Sequence, residues 1–218
     1  FPNRFFYQGR LEEVPLPHQQ RPLPTMPNGL NGQQQLLATR RVAFVEVPLP
    51  EESPSDKVNA IEAEMIASTV VEIYRKDPTH FDPTQTVGVI VPYRNQIATI
   101  RRFLDSYALP PLRQITIDTV ERYQGSQRDY ILYGFTIQKR YQLNFLTNNV
   151  FEEDGQLIDR KLNVAMTRAR EHLLLFGHSR LLTLNGLFRQ LIDYLRTEKC
   201  YFEIAPEDYM SGKFILNQ

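Results

Sequence analysis

The sequence predicts an α/β fold, a three-layer, mainly parallel sheet with helices on both faces. Short apolar runs of strand character alternate with helix-length segments, and strands separated in this way need crossover connections that leave them parallel. Two of the runs, TVGVIV at 86–91 and HLLLFG at 172–177, are continuously apolar, as expected of strands covered on both faces. The chain has 218 residues and is 42% hydrophobic, enough for one well-filled core and too little for two full domains.

Taken in order, residues 1–40 are expected to form an extended connection or arm from a preceding domain. From Glu12 to Thr39 the chain is rich in Pro, Gln, Asn and Gly with little periodicity, and such a composition buries too little surface to offset the entropy of ordering. Residues 41–206 carry the domain. A strand is predicted at 42–47 and a helix at 59–74, where Ile61, Met65, Ile66, Thr69, Val70, Ile73 and Tyr74 recur at helical spacing. Then follow a strand at 86–91, a helix at 96–107, and strands at 115–120 and 130–136. A helix is expected over 159–170, with Leu162, Ala165, Met166 and Ala169 on one narrow face. On that helix Arg168 and Arg170 would project roughly 160° apart. A strand at 172–177, a helix at 187–196 and a last strand at 201–204 complete the domain, and 207–218 is a tail.

The net charge is +0, so nothing draws the whole chain to a polyanion and any such site is a local patch. Basic residues gather at Arg94, Arg101, Arg102, Arg113, Arg122 and Arg128, then at Arg160, Lys161, Arg168 and Arg170, while acidic ones collect before Glu72. A single Cys200 allows no internal disulfide and suits a reducing compartment, the cytoplasm or a nucleus. The four His residues have no neighbours at metal-ligand spacing, so no metal site is expected. No apolar run approaches membrane-spanning length. The chain opens Phe-Pro-Asn, which reads as a piece of something larger.

A phosphate-cradling GxxxxGK[ST] loop is absent, as is a Gly-x-Ser-x-Gly elbow. Three polar segments were expected to lie beyond the carboxyl ends of the strands, where ligands of open α/β sheets bind, the last of them less directly. In VGVIVPYRNQ a buried strand ends at Pro92 and offers Tyr93 for stacking, Arg94 for a phosphate and Gln96 as a two-way amide. An ordinary strand-to-helix turn has the same composition. In TIDTVERYQGSQRD the turn at Gln124-Gly125 provides backbone amides for a phosphate or ribose, although such turns are common. DRKLNVAMTRAREHLLLFG is a charged amphipathic helix running into a buried strand.

In this order and spacing the three segments resemble superfamily 1 helicases, closest to the up-frameshift, nonsense-mediated-decay subgroup and its DNA-repair relatives. PYRNQ is similar to the family's motif IV, TVERYQGSQRD to motif V and RKLNVAMTRAR to motif VI, the most specific of the three. NAIEA at 59–63, FFYQGRL at 5–11 and LFRQLIDYLRTEKCYFE at 187–203 match further, so the likeness covers roughly Phe5 to Glu203.

The resemblance implies the second, C-terminal RecA-like domain of an ATP-dependent helicase or translocase, of P-loop NTPase type. ATP and Mg²⁺ would sit between this domain and an N-terminal RecA-like domain of the parent chain, and this piece alone would bind neither. Arg168 matches the arginine finger, which stabilises charge on the γ-phosphate. Tyr93, Arg94, Gln96, Gln124, Gly125, Gln127 and Arg170 are the implied nucleotide-side residues. Pro92, Thr119 and Arg122 are implied to face single-stranded DNA or RNA. Gln127 stands where the family has Glu, and Glu121 where it favours Asp. Alternatives from other classes are a non-catalytic nucleic-acid-binding or scaffolding module and a nuclease. Membrane association is not expected.

Overall fold

The computed structural model describes residues 32–53, 55–123, 127–147, 150–153 and 156–210. Helix α1 (Gly32–Thr39) leads into strand β1 (Val42–Glu46), and helix α2 (Ala60–Lys76) leads into β2 (Val87–Ile90). After α3 (Arg94–Ser106) and a 3₁₀ turn (Pro110–Gln114) come β3 (Thr116–Asp118) and β4 (Arg128–Gly134). A short α4 (Gln142–Leu146) precedes an antiparallel hairpin of β5 (Val150–Glu153) and β6 (Gln156–Asp159). Then follow α5 (Arg160–Thr167), β7 (Ala169–Gly177), α6 (Ser179–Leu182), α7 (Gly186–Thr197), β8 (Tyr201–Phe202) and α8 (Pro206–Tyr209).

The main sheet has six strands in the order β3-β2-β4-β7-β1-β8, and every neighbouring pair is parallel. Successive side chains alternate between its faces. Val45, Val87, Val89, Leu132 and Leu174 pack under α1, α2 and α3. Phe44, Ile90, Ile131, Leu173 and Leu175 point the other way, against Leu162 and Ala165 of α5 and Leu187, Phe188 and Leu191 of α7. This is the three-layer α/β arrangement expected from the uninterrupted apolar runs.

Local chemistry starts the long helices. The Asn59 side chain accepts from Glu62 N at 3.0 Å and opens α2, which closes on Arg75 and Lys76, cations suited to a helix C-terminus. Asn185 opens α7 by accepting from Leu187 N and Phe188 N.

The boundaries correct the sequence reading in three places. The last part of the supposed arm is helix α1, with Leu36 and Leu37 in the core and Gln33 buried because its amide meets Thr69 and Ser68. Residues 1–31 lie outside the described residues. Likewise the supposed tail begins with α8, whose Tyr209 is fully buried and bonded to Thr69 at 2.9 Å. The helix expected over 159–170 stops at Thr167, because Ala169 pairs with Arg128 as β7 begins and Arg128 N donates to Arg168 O at 3.0 Å. Sheet pairing outweighs the good helix propensity of Ala-Arg here, and the 160° separation of Arg168 and Arg170 falls with it.

Candidate functional site

The sheet divides the candidate residues between its two edges. At the carboxyl edge, β2 delivers Pro92, Tyr93 and Arg94, and β3 delivers Thr119 and Arg122. The Arg94 side chain is exposed and makes no hydrogen bond or ion pair among the described residues. Arg122 is exposed and lies 3.4 Å from Asp118. Tyr93 is largely buried, its ring stacked on Phe145 at 5.1 Å, and burial raises its pKa.

Gln96 does not reach the surface. It is wholly buried, its carbonyl accepting from Asn59 N at 3.0 Å and its amide donating to Asn59 O and to Glu62 Oε1 at 3.1 Å. Glu62 is the hub of this edge. Its carboxylate accepts from Thr136 N at 2.9 Å and Thr136 Oγ1 at 2.7 Å. Burial pushes its pKa up to about 7 against the lowering effect of these bonds. Thr136 takes a left-handed φ of 46° to present both donors. The network binds the end of β4 to the starts of α2 and α3.

Further along the same edge Glu46 accepts from Ser179 N and from Tyr201 Oη at 2.8 Å, and pairs with His178 at 3.1 Å. Burial works to raise the pKa of Glu46, yet these bonds hold it below the usual range. They border a hollow of about 560 Å³ whose polar groups are largely spent on one another.

The amino edge gathers Gln127, Arg128, Arg168 and Arg170. Gln127 is exposed. Arg128 is buried, donating to Gln127 O at 2.8 Å and Thr116 Oγ1 at 3.3 Å. Arg170 is committed: it donates to Gln85 Oε1 at 3.0 Å and lies 3.5 Å from Asp129. Arg168 is different. It is half-buried, its Nε is shielded from solvent, and that atom has no hydrogen-bond partner among the described residues. A buried guanidinium donor left unpaired is costly unless a partner arrives.

Residues 119–127 connect the end of β3 to the start of β4, on opposite edges of the sheet. This is shorter than the dozen or so residues a parallel crossover ordinarily takes. Tyr123 brings the hydroxyl end of its ring against Gly88 of β2. A Cβ at Gly88 would fall 1.6 Å from its hydroxyl, so only glycine admits the ring there. The guanidinium of Arg128 stands 5.8 Å over the same ring, and burial pushes the pKa of Tyr123 up to about 12. Gln124 and Gly125 lie outside the described residues.

Residues 1–180 match a family model described as an AAA domain. The chain belongs to this AAA-domain family. Among its curated relatives, Helicase sen1 of Schizosaccharomyces pombe is 36% identical over 62% of the chain, which spans 8% of that relative. Helicase SEN1 of Saccharomyces cerevisiae is 27% identical over 92% of the chain and 8% of its own length. The Regulator of nonsense transcripts 1 homolog of Neurospora crassa is 24% identical over 93% of the chain and 17% of its own length. The chain is a superfamily 1 helicase domain of this type, α/β and RecA-like, and it spans less than a fifth of each of these relatives.

Placed on this helicase domain, the expected site residues separate. Gln127, Arg168 and Arg170 share the amino edge, while Pro92, Tyr93, Arg94, Thr119 and Arg122 share the carboxyl edge, roughly 20 Å away along β4 at strand rise. The expectation that all three segments occupy the carboxyl ends is thereby corrected: the strand after Arg168 begins at the amino edge, so its preceding turn must lie there. Sequence reasoning missed Glu62 as a hub, although NAIEA was noticed, because its partners Thr136 and Gln96 are distant in sequence. Gly88 was hidden inside an apolar run that gave no sign of Tyr123.

Proposed function

We propose that this domain is the second, C-terminal motor half of an ATP-dependent nucleic-acid helicase or translocase, completing a nucleotide site shared with an N-terminal RecA-like domain. The observation that carries the reading is the state of Arg168 at the amino edge, whose shielded Nε has no partner among the described residues, while the terminal nitrogens of Arg128 and Arg170 are bonded. Such a group fits an anion brought by another domain. Bound ATP would supply the γ-phosphoryl group, with Mg²⁺ held by carboxylates of that other domain. Arg168 would then donate to oxygens where charge develops, as an arginine finger does. Gln127 lies on the same edge and would accept from a ribose hydroxyl, more weakly than a carboxylate. In this reading residues 92–96, 119–129 and 160–170 are motifs IV, V and VI.

The carboxyl edge would carry the single strand, through backbone phosphates at Arg94, Thr119 and Arg122. That assignment moves Tyr93 and Arg94 from the nucleotide to the strand. Residues 119–127, running between the edges, would relay occupancy of one to the other.

The test is steady-state phosphate release with and without single-stranded nucleic acid. The full parent protein is expected to hydrolyse ATP faster with a strand present, and the 218-residue chain alone to release none above background. ATP turnover by the isolated chain would refute the shared site.

A further inference from the structure

In the first turn of α5 the side chain of Lys161 is 8% exposed, an unusual place for an ammonium group. Its Nζ lies 3.0 Å from Glu121 Oε1, 3.4 Å from Phe145 O and 4.4 Å from the centroid of the Phe145 ring. That ring is stacked on Tyr93. Glu121 belongs to the return between β3 and β4. Burial works to raise its pKa, but a bond to its own backbone amide and the pairing with Lys161 keep it low and the carboxylate charged. One buried cation thus touches two segments of the carboxyl edge, the Tyr93 stack and the Glu121 turn, from the first turn of a third.

The third segment is a rod. Leu162 and Ala165 anchor α5 in the core, and the helix ends at Thr167, so Lys161 and Arg168 sit at its opposite ends, roughly 10 Å apart at helical rise. A shift of Tyr93 or Glu121 reaches Lys161 through contacts that cost energy to break, because a buried ammonium deprived of its carboxylate is left uncompensated. The helix transmits it to Arg168 as a unit.

We infer that Lys161 is a positioning residue that makes the placement of Arg168 depend on strand binding at the carboxyl edge. The inference rests on the helicase reading above. Lys161 touches neither nucleotide nor strand in this arrangement. It sets how far strand binding raises hydrolysis, and it leaves the unstimulated reaction and strand affinity to other groups.

The experiment uses the full parent protein and measures ATP hydrolysis with and without an unstructured oligonucleotide, strand affinity by anisotropy, and thermal melting. Lys161→Met is expected to keep unstimulated turnover and strand Kd within about twofold of wild type while the stimulation ratio falls at least fivefold. Lys161→Arg restores most of the ratio, and Glu121→Gln lowers it with the lysine intact. A folded Lys161→Met protein with wild-type stimulation overturns the inference. So does equal loss of stimulated and unstimulated turnover, which marks a purely structural lysine. If Lys161→Met fails to fold, Glu121→Gln decides: an unchanged ratio rejects the relay and a lowered one supports it. A wild-type parent that shows no strand-stimulated hydrolysis defeats the functional reading itself, and the relay with it.

Discussion

The carboxyl edge of the sheet is closed on itself, and the amino edge is not. Around Glu62, the side chains of Gln96 and Asn59 and both donors of Thr136 meet partners within 3.1 Å, and around Glu46 the side chains of His178 and Tyr201 and the backbone N–H of Ser179 do the same. At the amino edge Nε atoms of both Arg128 and Arg168 are buried without a hydrogen bond among the described residues. Buried groups that satisfy one another hold strands and helices in place, whereas an unpaired buried donor keeps a free energy that only an incoming acceptor can release. Polar residues of the same chemical type therefore serve as struts where their bonds are taken, as in Gln96 and Arg170, and stay available where they are not, as in Arg168.

The sharpest way to break this contrast is at the arginines. In the parent protein Arg168→Ala is expected to slow hydrolysis about 10³-fold with melting and ATP binding little changed, the scale of a lost finger. Arg168→Lys should not rescue, because an ammonium lacks the planar fork. Arg170→Ala, which loses half-exposed bonds to Gln85 and Asp129, should cost only about 1 kcal/mol of stability. Hydrolysis assays beside thermal melts separate the two, and a dead but folded Arg170→Ala with an active Arg168→Ala would exchange their roles.

On the closed edge the expected signature is in pH. Glu62 has a pKa of about 7 in the fold against 4.5 for the free side chain. The fold therefore favours the protonated form: stability from this group is full below about 4.5, declines as pH rises through 7, and is constant above. Glu62→Gln removes that dependence. The stability difference between variant and wild type should shift in favour of the variant by roughly 3 kcal/mol between pH 4.5 and 8. Parallel denaturation curves with the same offset at every pH would show that Glu62 is not strained by burial.

A smaller effect is expected between the edges. Gly88→Ala places a methyl against the Tyr123 ring and should cost about 1–3 kcal/mol as the ring is displaced. Chemical denaturation measures it, and an unaffected midpoint would mean that Tyr123 does not lie against Gly88.

The fold was legible where burial is continuous. The runs at 86–91 and 172–177 read as covered strands and are so, and Asn59 marks the start of α2 by its chemistry. What escaped depended on tertiary partners. Helix α1 is Gln-rich and looked unable to order itself, yet Gln33 is buried because Thr69 and Ser68 await it. The β5–β6 hairpin is absent from the sequence reading altogether. The site was legible as residue types and order. Its division between two edges was not, because it turns on where α5 gives way to β7, and a single backbone bond from Arg128 to Arg168 sets that point against local propensity.

The return over residues 119–127 has one more consequence, best put in terms of slack. Lengthening a loop is thermodynamically mild, each doubling adding only about 0.6 kcal/mol of closure entropy. A few glycines inserted near its far end, after Tyr123 has seated against Gly88, would leave the sheet intact. They would also give the chain room to take up any pull from the Glu121 side before it reached Arg128. Under the proposed relay, a protein so altered would keep its melting temperature while strand binding no longer raised hydrolysis, like a belt that still turns on its wheels but no longer drives the second one.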